Sequence, residues 1–145
     1  MSGNEPTLNE LHLLKLLELI ESKNKYQFIL ETNGILLANK QYAKKLSKFS
    51  CLHVRVSLKG TTPTEFARFT LCSSKGFDLQ LKAISNLLDY GISCHAALIS
   101  IATQDRQYLI NRLNQIDPSF ASGLEIEPIL LYPQVKLRLK KAGII

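Results

Sequence analysis

Residues 52–65 read LHVRVSLKGTTPTE, and their reading decides the fold class. Leu52 to Leu58 is strand-like, and Lys59-Gly60 closes it. Thr62 then supplies an N-cap, Pro63 the first helical position and Glu65 a capping-box glutamate. A strand that runs through a short loop into a capped helix is a βα unit, with no hairpin signal. The rest of the chain repeats this grammar in both directions.

Downstream, a helical pattern covers Phe77 to Tyr90 and stops at Gly91, a natural residue just past a helix end. Ile92 to Ile99 is strand-like. Thr103 to about Gln115 reads as a helix with Asp105 in its first turn. Leu124 to Leu131 is the last expected strand, ended by Tyr132-Pro133, and a basic tail over 134–145 follows. Upstream, Leu8, Leu11, Leu14, Leu16, Leu17 and Ile20 form a helical stripe from Thr7 to about Lys23, with Thr7 and Glu10 as a capping box. Tyr26 to Leu30 is a strand closed by Glu31-Thr32-Asn33-Gly34, where Asn-Gly tolerates positive φ. A Lys-rich helix runs from about Asn39 to Lys48.

Four strands separated by helical connections predict an α/β fold with right-handed crossovers and a parallel sheet, a partial βα barrel related to the TIM architecture. Val54, Val56, Ala97 and Ile99 are expected to fill its concave side. The helices are expected on the opposite face. Residues 1–133 read as one domain, with no internal repeat and no low-complexity linker.

Composition narrows the function classes. The 145 residues are 46% hydrophobic and 21% charged, ordinary for one globular domain. No apolar run approaches the roughly 20 residues of a membrane helix, and no secretory signal is apparent, so a cytoplasmic protein without a membrane partner is expected. The net charge of +6 comes largely from Lys40, Lys44, Lys45 and Lys48, and from Lys136, Arg138, Lys140 and Lys141. No aromatic stripe interleaves with either group, so nucleic acid is not an expected partner. Cys51, Cys72 and Cys94 lie too far apart for a metal knuckle and are odd in number, so they read as reduced structural thiols.

In a parallel βα array, chemistry collects in the loops at the strand C-termini. Gly3, Asn4, Glu5 and Pro6 precede the first helix. Glu31, Thr32 and Asn33 end the first strand; Ser57 and Lys59 end the second. A carboxylate, an amide, a hydroxyl and an ammonium on one rim suit a zwitterionic ligand bearing ribose hydroxyls. Each turn, taken singly, is also a plain turn.

Taken together, these stretches resemble the radical S-adenosylmethionine enzymes. SGNEP looks like that family's Gly-Gly-Glu-Pro motif, LETNG its acidic-Thr-Asn-Gly element, and VRVSLKG the fourth-strand segment of its archaeal-type and activating-enzyme-like members. The resemblance implies S-adenosylmethionine as cofactor. Gly3, Asn4, Glu5 and Pro6 would lie at its methionine end, Glu31, Thr32 and Asn33 near its ribose or carboxylate, and Lys59, in the segment that includes Ser57, near its carboxylate. Asn4 departs from the family's usual glycine.

A larger departure is that the Cys-x3-Cys-x2-Cys loop, whose thiolates hold a 4Fe–4S cluster, is not in this sequence. The family's first two strands and cluster loop are therefore expected to be missing, leaving roughly the last two-thirds of a core. The parent reaction is reductive cleavage of the cofactor to a 5′-deoxyadenosyl radical. This polypeptide alone is expected to be inactive in it and to bind the cofactor weakly or not at all. A non-catalytic α/β binding or interaction module is the alternative, and an unrelated α/β protein with imitating turns a third. Loss of two strands would leave apolar surface around Leu8–Ile20 and Tyr26–Leu30, so a homo-oligomer or a missing N-terminal partner chain is expected to cover it.

Overall fold

The computed structural model describes residues 4–145. Four strands, β1 (Phe28–Thr32), β2 (Leu52–Leu58), β3 (Ser93–Ile99) and β4 (Glu125–Glu127), form one sheet in the order β1-β2-β3-β4. Every pairing is parallel. Helices intervene: α1 (Glu10–Glu21) before β1, α2 (Lys40–Leu46) between β1 and β2, and α3 (Pro63–Thr70) and α4 (Lys75–Asp89) between β2 and β3. Helix α5 (Arg106–Ile116) precedes β4, and α6 (Pro133–Lys141) follows it. The α/β fold read from the sequence is the fold observed, and the sheet is open.

Strand β2 explains how the sheet is used. Its residues alternate between buried and half-buried along its length. Leu52, Val54, Val56 and Leu58 point one way; His53, Arg55 and Ser57 point the other, as the two-residue period of a strand requires. Register extends each set sideways. Leu30 and Cys94 align with Val54, Ala96 with Val56, and Leu98 with Leu58. This face carries the core, shared with Leu13 and Leu17 of α1 and with Phe77, Leu81, Ile84 and Leu87 of α4.

The other face is polar across β1, β2 and the first half of β3. Glu31 aligns with Arg55 and His95, and Ala97 with Ser57 and Glu125. Val54 and Val56 therefore do not fill a concave interior, as the sequence reading had them. They belong to the helix-covered face, and only Ala97 and Ile99 lie opposite. One residue of parity separates the two sets.

Several boundaries move for local reasons. The Thr7–Glu10 capping box does not form. A 3-10 turn, Pro6–Leu8, comes first, capped by Glu5, and Asn9 caps α1 by accepting the His12 amide at 3.1 Å. Stripe residues Leu8 and Leu11 stand exposed, and the buried centre of α1 is Leu13 and Leu17. Strand β1 starts at Phe28, and β4 holds three residues where eight were expected. Helix α4 starts two residues before Phe77. The basic stretch after β4 is helical from Pro133 to Lys141, and the Arg68 guanidinium donates to the carbonyl of Gly143 just beyond.

Helix α3 begins as read, with the Thr62 hydroxyl accepting the Glu65 amide at 3.1 Å. The Glu65 carboxylate itself does more than cap. It accepts from the Thr61 amide and hydroxyl, both at 2.7 Å, and from the amides of Thr103 and Gln104 at 2.9 and 3.1 Å. One buried side chain thus fixes the loop after β2 to the loop after β3, at the rim where the candidate site lies.

Candidate functional site at the strand C-termini

A cleft of about 350 Å³ opens at this rim. Of the nine expected site residues, seven line it: Asn4 and Glu5 from the N-terminal turn, Glu31, Thr32 and Asn33 from β1 and its end, and Ser57 and Lys59 from β2 and its end. Pro6 starts the 3-10 turn and is not a lining residue. Gly3 lies outside the described residues.

The turn chemistry that made these residues conspicuous also uses them. Glu5 Oε1 accepts from the Thr7 hydroxyl at 2.5 Å and the Thr32 hydroxyl at 2.6 Å, and Oε2 accepts the Asn33 amide at 2.7 Å. Thr32 Oγ1 in turn accepts the Gly34 amide, and Asn33 Oδ1 accepts that of Ile35. Gly34 sits at φ +79°, where a Cβ would also meet the Val56 side chain at 3.0 Å. Glu5, Thr32 and Asn33 therefore build the cleft wall, while Glu31, Ser57 and Lys59 present groups to its interior. Behind the wall, buried Gln80 of α4 donates its amide N–H groups to the carbonyls of Asn33 at 2.6 Å and Ser57 at 2.8 Å.

Lys59 reaches back along the open face and donates to the Ser57 hydroxyl at 2.6 Å. Burial lowers its pKa, and the Arg55 cation adds to this; Glu127 and Glu31 work the other way. Its ammonium stands half-buried at the cleft, where the Glu127 and Glu31 carboxylates partly offset the cost of burial.

Two lining residues, Arg55 and Glu127, were not singled out from the sequence. The Arg55 side chain is 12% exposed and binds Glu125 in bidentate fashion, Nε to Oε2 at 3.0 Å and Nη2 to Oε1 at 2.9 Å. Glu31 Oε1 lies 3.6 Å from Arg55 Nη1, and Glu127 Oε2 lies 3.7 Å from Nη2. The hydrogen bonds to Glu125 raise the Arg55 pKa, and the same bonds, with His95, hold Glu125 down at about 2. The signal was present: His53, Arg55, Ser57 and Lys59 recur every second residue, which puts all four on one face.

Beside the cleft, sharing Lys59 and Glu127 with it, is a second cavity of about 480 Å³ with an apolar lining. Ile99, Ile101 and Ile129 form its sheet side, and Val135 and Leu139 of α6 cover it. A polar compartment thus adjoins an apolar one, with Lys59 and Glu127 lining both.

The model of the Radical SAM superfamily matches residues 1–116. The chain belongs to the radical SAM superfamily. No curated protein and no solved structure matches it. Radical SAM proteins as a rule hold a 4Fe–4S cluster on three cysteine thiolates, and the cysteines described here do not fit that group. Cys51 precedes β2 at the end of the sheet away from the cleft, and burial, then Glu21, hold its thiol up at about 11. Cys94 faces the helices from the start of β3, its thiol pushed by burial to about 12. Cys72 is exposed after α3. Among the described residues, no group of three or more His, Cys, Asp or Glu gathers for a metal ion.

The radical SAM cofactor is a different matter, because the donor set present fits it chemically. Glu31 and Glu127 suit an ammonium, Lys59 a carboxylate, and Ser57 a ribose hydroxyl, all within one cleft.

Proposed function

We propose that this chain carries the S-adenosylmethionine-binding rim of a radical SAM core and does not by itself carry out reductive cleavage. One observation carries the reading: opposite charges on Glu31, Glu127 and Lys59 line a single cleft that continues into an apolar cavity. The charged side matches the cofactor's amino-acid group, and the apolar side matches its purine. With the cluster present, this cofactor supplies the family's radical chemistry; the chain's own residues bind and orient it. Asn4, Glu5, Thr32 and Asn33 form the wall at the methionine end, with Glu5 as a positioning residue. Pro6 starts the turn behind that wall, and Gly3 completes the motif. Lys59 takes the carboxylate.

Without the cluster iron to chelate the amino and carboxylate groups, affinity is low. Calorimetry or ligand-observed NMR should give a dissociation constant above about 0.1 mM, weakened further in Lys59→Ala. Reduction of the purified chain with dithionite in the presence of S-adenosylmethionine should yield no 5′-deoxyadenosine. Tight binding indifferent to Lys59→Ala would overturn the assignment of that lysine.

The placement of the cysteines favours a second reading, a non-catalytic α/β binding module. It predicts no response to S-adenosylmethionine in either the parent or the Lys59→Ala protein. In both readings we propose a cytoplasmic protein, and in the first its N-terminal half meets a second copy or a partner chain.

A further inference from the structure

The open face of the sheet carries another polar cluster, set toward the strand N-termini. His53 on β2 pairs in register with Ser93, and His95 on β3 pairs with Arg55, so the two histidines are diagonal neighbours on one face. His53 Nε2 and His95 Nδ1 face each other at 2.7 Å, and the ring centroids lie 5.0 Å apart. The nitrogens are thus nearer than the centroids by about the width of a ring, and the imidazoles meet end to end in an N–H···N hydrogen bond.

The outer nitrogens are both held. His53 Nδ1 lies 2.7 Å from the Ser93 hydroxyl, and His95 Nε2 lies 2.9 Å from Glu125 Oε2. Hydrogen bonds from Arg55 and His95 keep Glu125 ionised down to about 2, and an ionised carboxylate only accepts. His95 therefore carries hydrogen on Nε2 and offers the lone pair of Nδ1 to His53. His53 donates from Nε2 and accepts from the Ser93 hydroxyl at Nδ1. The row of hydrogen bonds has one direction, and Glu125 sets it.

Such a row has room for one extra proton and no more. The first goes to His53 Nδ1, and the Ser93 hydroxyl turns from donor to acceptor while the central bond survives. A second would put hydrogen on both facing nitrogens. With N–H bonds of about 1.0 Å, those hydrogens would stand about 0.7 Å apart at the observed spacing. One ring has to leave. The Glu125 carboxylate holds His95, whereas a hydroxyl alone holds the outer side of His53, so His53 leaves.

We propose that His53 and His95 form an acid-opened latch across β2 and β3, closed with no added proton or with one and opened by the second, with His53 the moving ring. In the unfolded chain each histidine protonates independently near pH ~6.5. In the fold, burial and then the His95 ring lower the His53 pKa. A histidine depressed by folding contributes stability that is complete above the unfolded value and lost as pH falls through the folded one. The latch is therefore shut at neutral pH and fails in acid, below about 6.5. Arg55, the next cation on this face, has Glu31 of β1 and Glu127 of β4 beside it as well as Glu125, and with its pKa raised it keeps its charge throughout. Glu21 and Cys51, before β2, are held at about 2 and about 11, so neither changes charge in that window.

The test is to follow the imidazole resonances of the whole, unmutated protein from about pH 8 to about pH 4.5, a range that brackets histidine titration. Cross-relaxation between the His53 and His95 rings should be present at neutral pH and vanish in acid. The side-chain couplings of His53 should change with it while those of His95 hold. The two rings should titrate in coupled steps that depart from single-site curves. In His53→Gln, the fall in urea midpoint between about pH 7 and about pH 5 should shrink by about half or more; in His12→Gln it should not change. Cross-relaxation that persists after both rings have taken protons would overturn the latch. So would single-site curves for both rings at the midpoint of the urea-unfolded chain. Movement of His95 past a fixed His53 would overturn the choice of ring. The resonance measurement needs no variant, so it stands even if a histidine substitution unfolds the chain.

Discussion

Glu5 and Asn33 lie 28 residues apart, and the carboxylate of the first accepts the backbone N–H of the second at 2.7 Å. With Thr7 and Thr32 on its other oxygen, this carboxylate fastens the N-terminal turn to the end of β1. Thr7 and Thr32 are 1% and 3% exposed, so their hydroxyls have no water to turn to. Glu5→Ala should lower unfolding stability by about 2 kcal/mol or more, because several buried donors lose their acceptor together. Urea titration measures it; a loss below about 0.5 kcal/mol would mean the turn is held by something else.

Gly60 is needed for a close approach. A Cβ there would stand 2.5 Å from the Phe66 backbone nitrogen and 2.9 Å from its Cα. Backbone cannot step aside as a side-chain tip can, so Gly60→Ala must push the start of α3 away from β2. The expected cost is about 1–3 kcal/mol, with displaced amide resonances at Lys59 and Glu65. An unshifted spectrum would refute the packing.

Acid should loosen the end of the sheet opposite the cleft. Hydrogen bonds from Cys51 and then Ser50 hold Glu21 at about 2 instead of its ordinary 4.5. A carboxyl group depressed by folding contributes stability that is complete above the unfolded value and disappears as pH falls through the folded one. The Glu21 contribution should therefore be intact at pH 5 and fade between about 4.5 and 2. Glu21→Gln should flatten the stability-versus-pH curve in that window and nowhere else, as urea midpoints at successive pH values would show.

The three thiols should separate kinetically. Cys72 is exposed, whereas burial raises Cys94 to about 12, and burial with Glu21 raises Cys51 to about 11. Since the thiolate is the reactive form, a disulfide reagent at neutral pH should titrate one equivalent quickly and the other two only on unfolding. Two fast equivalents would contradict the placement of Cys51.

Self-association should run through the N-terminal half. Leu8 and Leu11 are both 73% exposed and Leu19 is 58% exposed, beside a helix whose other face is core. Sedimentation at micromolar concentration is expected to show a dimer or larger species, and Leu8→Ser with Leu11→Ser should shift it toward monomer. A monomeric parent protein would argue for the self-contained binding module.

The parallel sheet was legible because each βα unit carries its own punctuation: Gly34, the Thr62-Pro63 start and Gly91 are local signals, and local signals survive in a single sequence. Seven of the expected rim residues proved to line one cleft because strand ends are determined by those same turns. What escaped was parity and distance. Val54 and Ala97 look alike as strand residues, and only the register shows that they face opposite ways. Arg55 and Glu127 stand 72 positions apart, so nothing local links them. Nor does anything local show that the Glu5 carboxylate binds the Thr32 hydroxyl and the Asn33 amide 27 and 28 residues away.

Gln80 gives the rim its mechanics. One buried amide on α4 grips the carbonyls of Asn33 and Ser57 together, so the turns after β1 and β2 ride on the same helix as a single stiff jaw. Across from it stands β4, three residues long at the margin of the sheet, fastened through Arg55 to Glu125 and followed by a helix of basic surface. We predict that closing of the cleft on a guest would come mainly from the β4 and α6 side. Amide hydrogen exchange should run slow at Asn33 and Ser57 and faster from Glu125 onward, and a bound cofactor should slow only the second group.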